Sequence, residues 1–268
     1  MTDFKLHSTT ASGAHPGAPI LMVPGAFSSG RIWHDTFVPF FAERGHDVHT
    51  LTFAGHGRPR LPRLRCGRQR YLNDLRRAAD RIGGEPLVLA HSMGGLTTLR
   101  LLAERDLPAA ALLSPVPHTG LRSTLHQVLR TDPGSFAKFA ALGLEPGVRH
   151  LGAPPRGIYS DTVDPALAKR VTADLAPESP RMLPFLLSGY PVALERVRTP
   201  VKFFAATGDH VVPPDAVAET AVALDAPMQT YDGMSHTFQA ERAWRTVAED
   251  VAAWFDESEA ARRGAKAA

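Results

Sequence analysis

Along the chain, short apolar runs alternate with stretches whose apolar residues recur every three or four positions, and glycine or proline punctuates the two. That alternation is the signature of a largely parallel sheet whose strands are joined by helices. Residues 19–23 read as the first strand, opened by Pro19, at a position where a missing N–H does no harm. Residues 31–44 read as a helix with Trp33, Phe37, Phe40 and Phe41 on one side and Gly45 as its stop. Residues 48–53 alternate as a strand, 68–82 follow helical spacing up to Gly83 and Gly84, and 86–90 form a buried strand. A helix over 93–104 and a strand over 109–113 continue the series.

The alternation then stops. Residues 117–198 hold helical segments separated by proline and glycine clusters, one of them over 135–142 with Gly143 behind it. Another opens at Asp164 and Pro165, an N-cap followed by a first-turn proline, with Leu167, Val171 and Leu175 as its apolar stripe. Strand character returns at 201–205 and 228–231. Trp244, Val247, Val251 and Trp254 then keep the spacing of a terminal helix packed on the sheet, which is expected to fray from about Glu257. The prediction is an α/β fold with a mostly parallel central sheet and helices on both faces. Its core spans residues 1–116 and 199–268, interrupted by a helical insertion over 117–198.

Composition narrows the class. At 268 residues the chain suits a single α/β domain, which commonly runs to about 250. Its 44% hydrophobic content supports a sizeable core, and no run approaches the about 18 apolar residues of a membrane span. Residues 1–10 alternate polar and apolar positions and lack the core of a signal peptide, so export is not expected. The lone Cys66 excludes an internal disulfide framework and a cysteine-based zinc site, and a cytoplasmic location fits that usage. Net charge is only +3, but nine arginines between Arg58 and Arg81 outweigh Asp74 and Asp80 by seven charges, leaving −4 elsewhere. No zinc-finger spacing, recognition helix or RNA-binding aromatic motif accompanies them, so nucleic acid is not an expected partner.

The most informative stretch is Leu87-Val88-Leu89-Ala90-His91-Ser92-Met93-Gly94-Gly95. An apolar strand runs into a serine, two glycines and a helix, the order required to hold a serine on a sharp turn at a helix N-terminus. Downstream, Asp209 follows the strand at 201–205 and a glycine, and His236 follows the strand at 228–231.

This arrangement resembles the α/β-hydrolase family. Ala90-His91-Ser92-Met93-Gly94 stands where the family has G-x-S-x-G, with the small Ala90 replacing the first glycine, and Ser…Asp…His keeps the family's order. The resemblance covers roughly residues 18–116 and 199–256. It implies Ser92 as nucleophile, His236 as base and Asp209 as the acid that orients it, with Asp215 as the fallback acid. It also implies an oxyanion hole from the N–H groups of Ala26 and Met93, with Phe27 as alternative donor; Pro24 stands where the family usually has histidine. In this family the insertion forms a helical cap over the pocket, and Phe27, Phe136, Phe139 and Phe185, with Leu186, Leu187 and Tyr190, are candidate lining residues. His91 reads as a packing residue and His56 as a structural one, and no histidine joins an acid in a metal-ligand set.

The activity implied is hydrolysis of a carboxylic ester or thioester of a small-to-medium lipophilic substrate, without cofactor or metal. An acyltransferase, a cofactor-free lyase or cyclase, and a non-enzymatic receptor use the same fold. The arginine window, which includes Arg63, Arg65, Arg68 and Arg70, is a candidate dock for an acidic carrier protein or a CoA-type thioester.

Overall fold

The computed structural model describes residues 4–13, 16–56, 63–83, 85–142 and 157–267. Seven strands form one sheet: β1 (Lys5–Thr9), β2 (Ile20–Val23), β3 (Val48–Thr52), β4 (Leu87–His91), β5 (Ala110–Leu113), β6 (Val201–Ala206) and β7 (Met228–Tyr231). Their spatial order is β1-β3-β2-β4-β5-β6-β7. The alternating N-terminal residues supply the edge strand, antiparallel to β3, and every other neighbouring pair is parallel.

Both faces of the sheet are covered, so its central strands are apolar throughout rather than alternating. Ile20 and Met22 point to one side, against Trp33, Phe37, Phe41, Val247, Val251 and Phe255. Leu21 and Val23 point to the other, against Tyr71, Leu75, Leu99 and Val217. The layers are built by helices α1 (Phe37–Glu43), α2 (Arg68–Arg81) and α3 (Met93–Leu102), then by α8 (Pro214–Ala223) and α9 (Trp244–Ala267). Between β5 and β6 lie α4 (Arg122–Thr131), α5 (Pro133–Leu142), α6 (Pro165–Ala173) and α7 (Leu183–Ser188). Asp164 caps α6 as expected, its carboxylate accepting from the N–H groups of Ala166 and Leu167 at 2.8 and 3.0 Å.

Two expectations need correction. The helix expected over 31–44 is two pieces, a 3₁₀ turn over Gly30–Trp33 and α1 from Phe37. The reason is Pro39: inside one continuous helix it would leave a carbonyl without its donor, whereas a start at Phe37 places it in the first turn. The terminal helix does not fray at about Glu257 but runs to Ala267, with Ser258 buried and Arg262 hydrogen-bonded to Glu85. Among the described residues no helix is long and apolar enough to cross a membrane.

Parallel strands send their C-terminal ends to one edge of the sheet. The loops after Val23, His91, Leu113, Ala206 and Tyr231 therefore gather there.

Candidate active site

Ser92 links β4 to α3 with φ 53° and ψ −122°, a backbone state that is costly for a residue with a side chain. The surroundings hold it there. Its N–H donates to Leu113 O at 3.0 Å, and its carbonyl accepts from Gly95 and Val116 at 2.9 and 3.1 Å. The turn passes so close to β2 that a Cβ on Gly94 would stand 2.5 Å from the Pro24 carbonyl oxygen. Ala90, at the family's first glycine position, is an ordinary buried residue of β4.

Three side chains meet at this turn. Asp209 Oδ1 accepts from the N–H groups of Val211 and Val212, both at 2.8 Å. Asp209 Oδ2 faces His236 Nδ1 at 2.7 Å, and His236 Nε2 faces Ser92 Oγ at 3.0 Å. With Nδ1–H donating to the carboxylate, Nε2 is left to accept the serine proton. All three residues are buried. Asp215 is exposed, in the first turn of α8.

Met93 opens α3, so its N–H has no acceptor within the helix. Ala26 lies in the turn after β2, beside Ser92 on the wall of a cavity of about 320 Å³. Phe27, the alternative donor, sits at φ 61°, and its N–H donates to Glu178 Oε2 at 3.3 Å.

The cavity reaches from Ser92 and His236 up into the insertion, where Leu125 and Val128 of α4, Phe136 of α5 and Leu175 line it. Phe27 lines it too. The Phe139 side chain lies outside the described residues. Phe185 does not line the cavity. On α7 the residues facing it are Leu183, Leu186 and Leu187, at helical i, i+3 and i+4 positions, which turns Phe185 away. Its ring instead carries the Arg68 guanidinium at 4.4 Å and abuts Tyr190.

The arginine window is not a row of free cations. Arg58 and Arg60 lie outside the described residues. Arg63 is buried, and Arg70 pairs with Asp74 at 2.8 Å. Arg76 pairs with Glu104, and Arg77 and Arg81 lie over the Phe4 ring at 5.2 and 4.5 Å. Of the four arginines expected to attract an anionic carrier, only Arg65 and Arg68 are exposed, and Arg68 is stacked. Among the described arginines of the window, Arg70 and Arg76 are paired with acids, whereas Arg65, Arg68, Arg77 and Arg81 are exposed. Burial also pushes the Cys66 thiol up, away from its thiolate.

His91 packs against His236 at the cavity wall. Its Nε2–H donates to the His236 carbonyl at 2.9 Å, and burial, then proximity to His236, hold it well below the usual histidine range. Through that bond it braces the His236 backbone.

Sequence reasoning missed two buried carboxylates that tie residues 157–182 to the loops after β2 and β7. Glu241 Oε1 accepts from Ser235 N–H at 3.0 Å, and its Oε2 accepts from Ser160 Oγ at 2.6 Å. The same loop is held by its backbone: His236 N–H donates to Gly157 O at 3.0 Å and Thr237 N–H to Ile158 O at 3.1 Å. Glu178 accepts from Tyr71 Oη–H at 2.6 Å, from Ser179 N–H at 2.6 Å and from His56 Nε2 at 3.0 Å. Burial alone would lower His56 and raise Glu178, but their mutual attraction and hydrogen bonds outweigh it. His56 is held above, and Glu178 below, its ordinary value.

A family model described as "Alpha/beta hydrolase family" matches residues 20–250. Among solved structures, a thermophilic esterase from Thermogutta terrifontis is similar at 15% identity and TM-score 0.69, covering 95% of this chain and 93% of that one. A monoacylglycerol lipase from Paleococcus ferrophilus is similar at 17% identity and TM-score 0.68, with coverage of 95% and 99%. A bromoperoxidase from Bacillus anthracis is similar at 16% identity and TM-score 0.69, with coverage of 94% and 95%. At these identities the likeness is one of fold. No curated protein matches the chain in sequence.

Proposed function

The chain belongs to the alpha/beta hydrolase family, and from that premise we propose that it is a serine hydrolase cleaving a carboxylic ester or thioester of a small-to-medium lipophilic substrate. One observation carries the reading: Ser92, His236 and Asp209 form an unbroken relay, at 3.0 and 2.7 Å, that opens onto an apolar cavity. The esterase and the lipase among the similar structures support the same class.

In this mechanism His236 Nε2 takes the Ser92 hydroxyl proton as Oγ attacks the substrate carbonyl. The oxyanion that forms turns toward the N–H groups of Ala26 and Met93, a contribution of about 3–4 kcal/mol for one donor. His236 then protonates the leaving alcohol or thiol. Water, activated by the same imidazole, releases the acid and restores Ser92. Asp209 keeps the imidazole in the tautomer that accepts from serine and stabilises its cation.

The insertion over 117–198 acts as the cap, and the substrate it covers is a free small molecule. A free substrate is preferred here to a carrier-borne thioester because Arg70 and Arg76 of the window are paired with Asp74 and Glu104. Treatment with a fluorophosphonate is expected to add one phosphonyl group to the peptide that contains Ser92, found by mass spectrometry, and to abolish cleavage of p-nitrophenyl esters. An unmodified Ser92 peptide in a protein that still cleaves these esters would refute the mechanism.

The cavity also makes a specificity prediction. Val128 lines its upper wall from α4. Val128→Phe is expected to lower kcat/KM for p-nitrophenyl decanoate by about 10–200-fold, the scale of a few misplaced methylenes, with the acetate little affected. An equal loss for both esters would place the acyl chain elsewhere.

A further inference from the structure

Glu178 and His56 lie behind the turn that carries Ala26, outside the relay of Ser92, His236 and Asp209. Their protonation can be read from their neighbours. His56 Nδ1 faces the Ser28 carbonyl oxygen, which only accepts. His56 Nε2 faces Glu178 Oε2 at 3.0 Å and Oε1 at 3.1 Å. Tyr71 Oη, 3.0 Å from the same nitrogen, gives its own proton to Glu178 Oε1 at 2.6 Å. Both ring nitrogens therefore face acceptors and both carry a proton. The carboxylate receives Tyr71 Oη–H and the N–H groups of Ser179 and Phe27, so it is the anion of the pair. Arg63 is the other charged group acting on His56.

The Phe27 turn is held by Glu178 together with the segment that carries it. Phe27 N–H donates to Glu178 Oε2 at 3.3 Å, and Ala176 N–H donates to the Phe27 carbonyl at 2.8 Å. Both polar groups of a residue at φ 61° are thereby held from residues 176–178. An uncompensated carboxylate one residue from an oxyanion donor would repel the charge that develops there; an imidazolium on the same carboxylate cancels it. We infer that Glu178 and His56 are positioning residues, a charge-compensated clamp that holds the Phe27 turn, and with it the Ala26 N–H, in place for the oxyanion. This rests on the serine-hydrolase reading above.

The test combines a spectrum with a mutant cycle. In the intact wild-type protein at pH 7, ¹⁵N NMR of the histidine side chains is expected to show His56 as an imidazolium with both nitrogens protonated. His56→Gln and Glu178→Gln are each expected to lower kcat for p-nitrophenyl butyrate by about tenfold or more, with KM little changed. The double variant carries neither charge and is expected to lose much less than the product of the two single losses. A neutral His56 in the wild-type spectrum overturns the proposal, even if a single variant fails to fold. So do multiplicative losses in the double variant, or losses confined to KM. A wild-type protein that neither takes up fluorophosphonate at Ser92 nor cleaves the ester overturns the serine-hydrolase reading itself, and the clamp's task with it; the imidazole spectrum still reports on the charge state of the pair.

Discussion

Ser92→Ala is expected to lower ester turnover by at least about a thousandfold, because it removes the hydroxyl that His236 Nε2 faces and that the proposed mechanism uses as nucleophile. The change is well suited to isolate chemistry from folding. The strain at residue 92 is in its backbone, at φ 53°, and alanine bears it as serine does. The bonds that hold the turn, to Leu113, Gly95 and Val116, use backbone atoms only. Stability to urea should therefore match the wild type while kcat collapses, with residual turnover left to the oxyanion hole and binding. Turnover within about tenfold of wild type, in a variant confirmed by mass, would remove Ser92 from the role of nucleophile.

Asp209→Asn is expected to cost about 10³–10⁴ in kcat, and here the local geometry says why. Oδ1 accepts two backbone N–H bonds, from Val211 and Val212, so the oxygen of an asparagine must stay on that side. Its NH₂ group is then forced toward His236 Nδ1, where Oδ2 had been. A donor facing Nδ1 moves the imidazole proton to Nε2, and that nitrogen can no longer accept from Ser92. Asp215→Asn, on the exposed first turn of α8, is expected to leave turnover unchanged. Measured kcat values in the reverse order would assign the acid to Asp215.

The residues of the relay were legible in sequence because each is a local event. An apolar run that meets Ser92 and then, past Met93, two glycines permits a sharp turn into a helix, and Asp209 and His236 each come shortly after a strand-like run. Once the strands are parallel, the ends of β4, β6 and β7 fall on one edge whatever the rest of the chain does. Periodicity set the strands; the family resemblance picked Asp209 and His236 out of the loops that follow them and implied a role for each.

Other features depended on contacts between distant parts of the chain. Glu178 finds His56 across 122 residues and Tyr71 across 107, and no spacing rule connects them. A carboxylate in a loop is ordinarily solvated; this one is buried because the insertion folds back onto the turn after β2. Likewise, composition gave Arg58–Arg81 a large local charge but could not say which arginines would meet Asp74, Glu104 or the Phe4 ring. On α7, aromatic character favoured Phe185 as a lining residue, yet the helix's rotation about its own axis gave that place to Leu183, Leu186 and Leu187. Hydrophobic periodicity acts between neighbours and determines strands, helices and the turns between them. The partner of a buried charge, the facing of α7 and the shape of the cavity are set by which surfaces meet when those elements pack, and only the tertiary structure decided them.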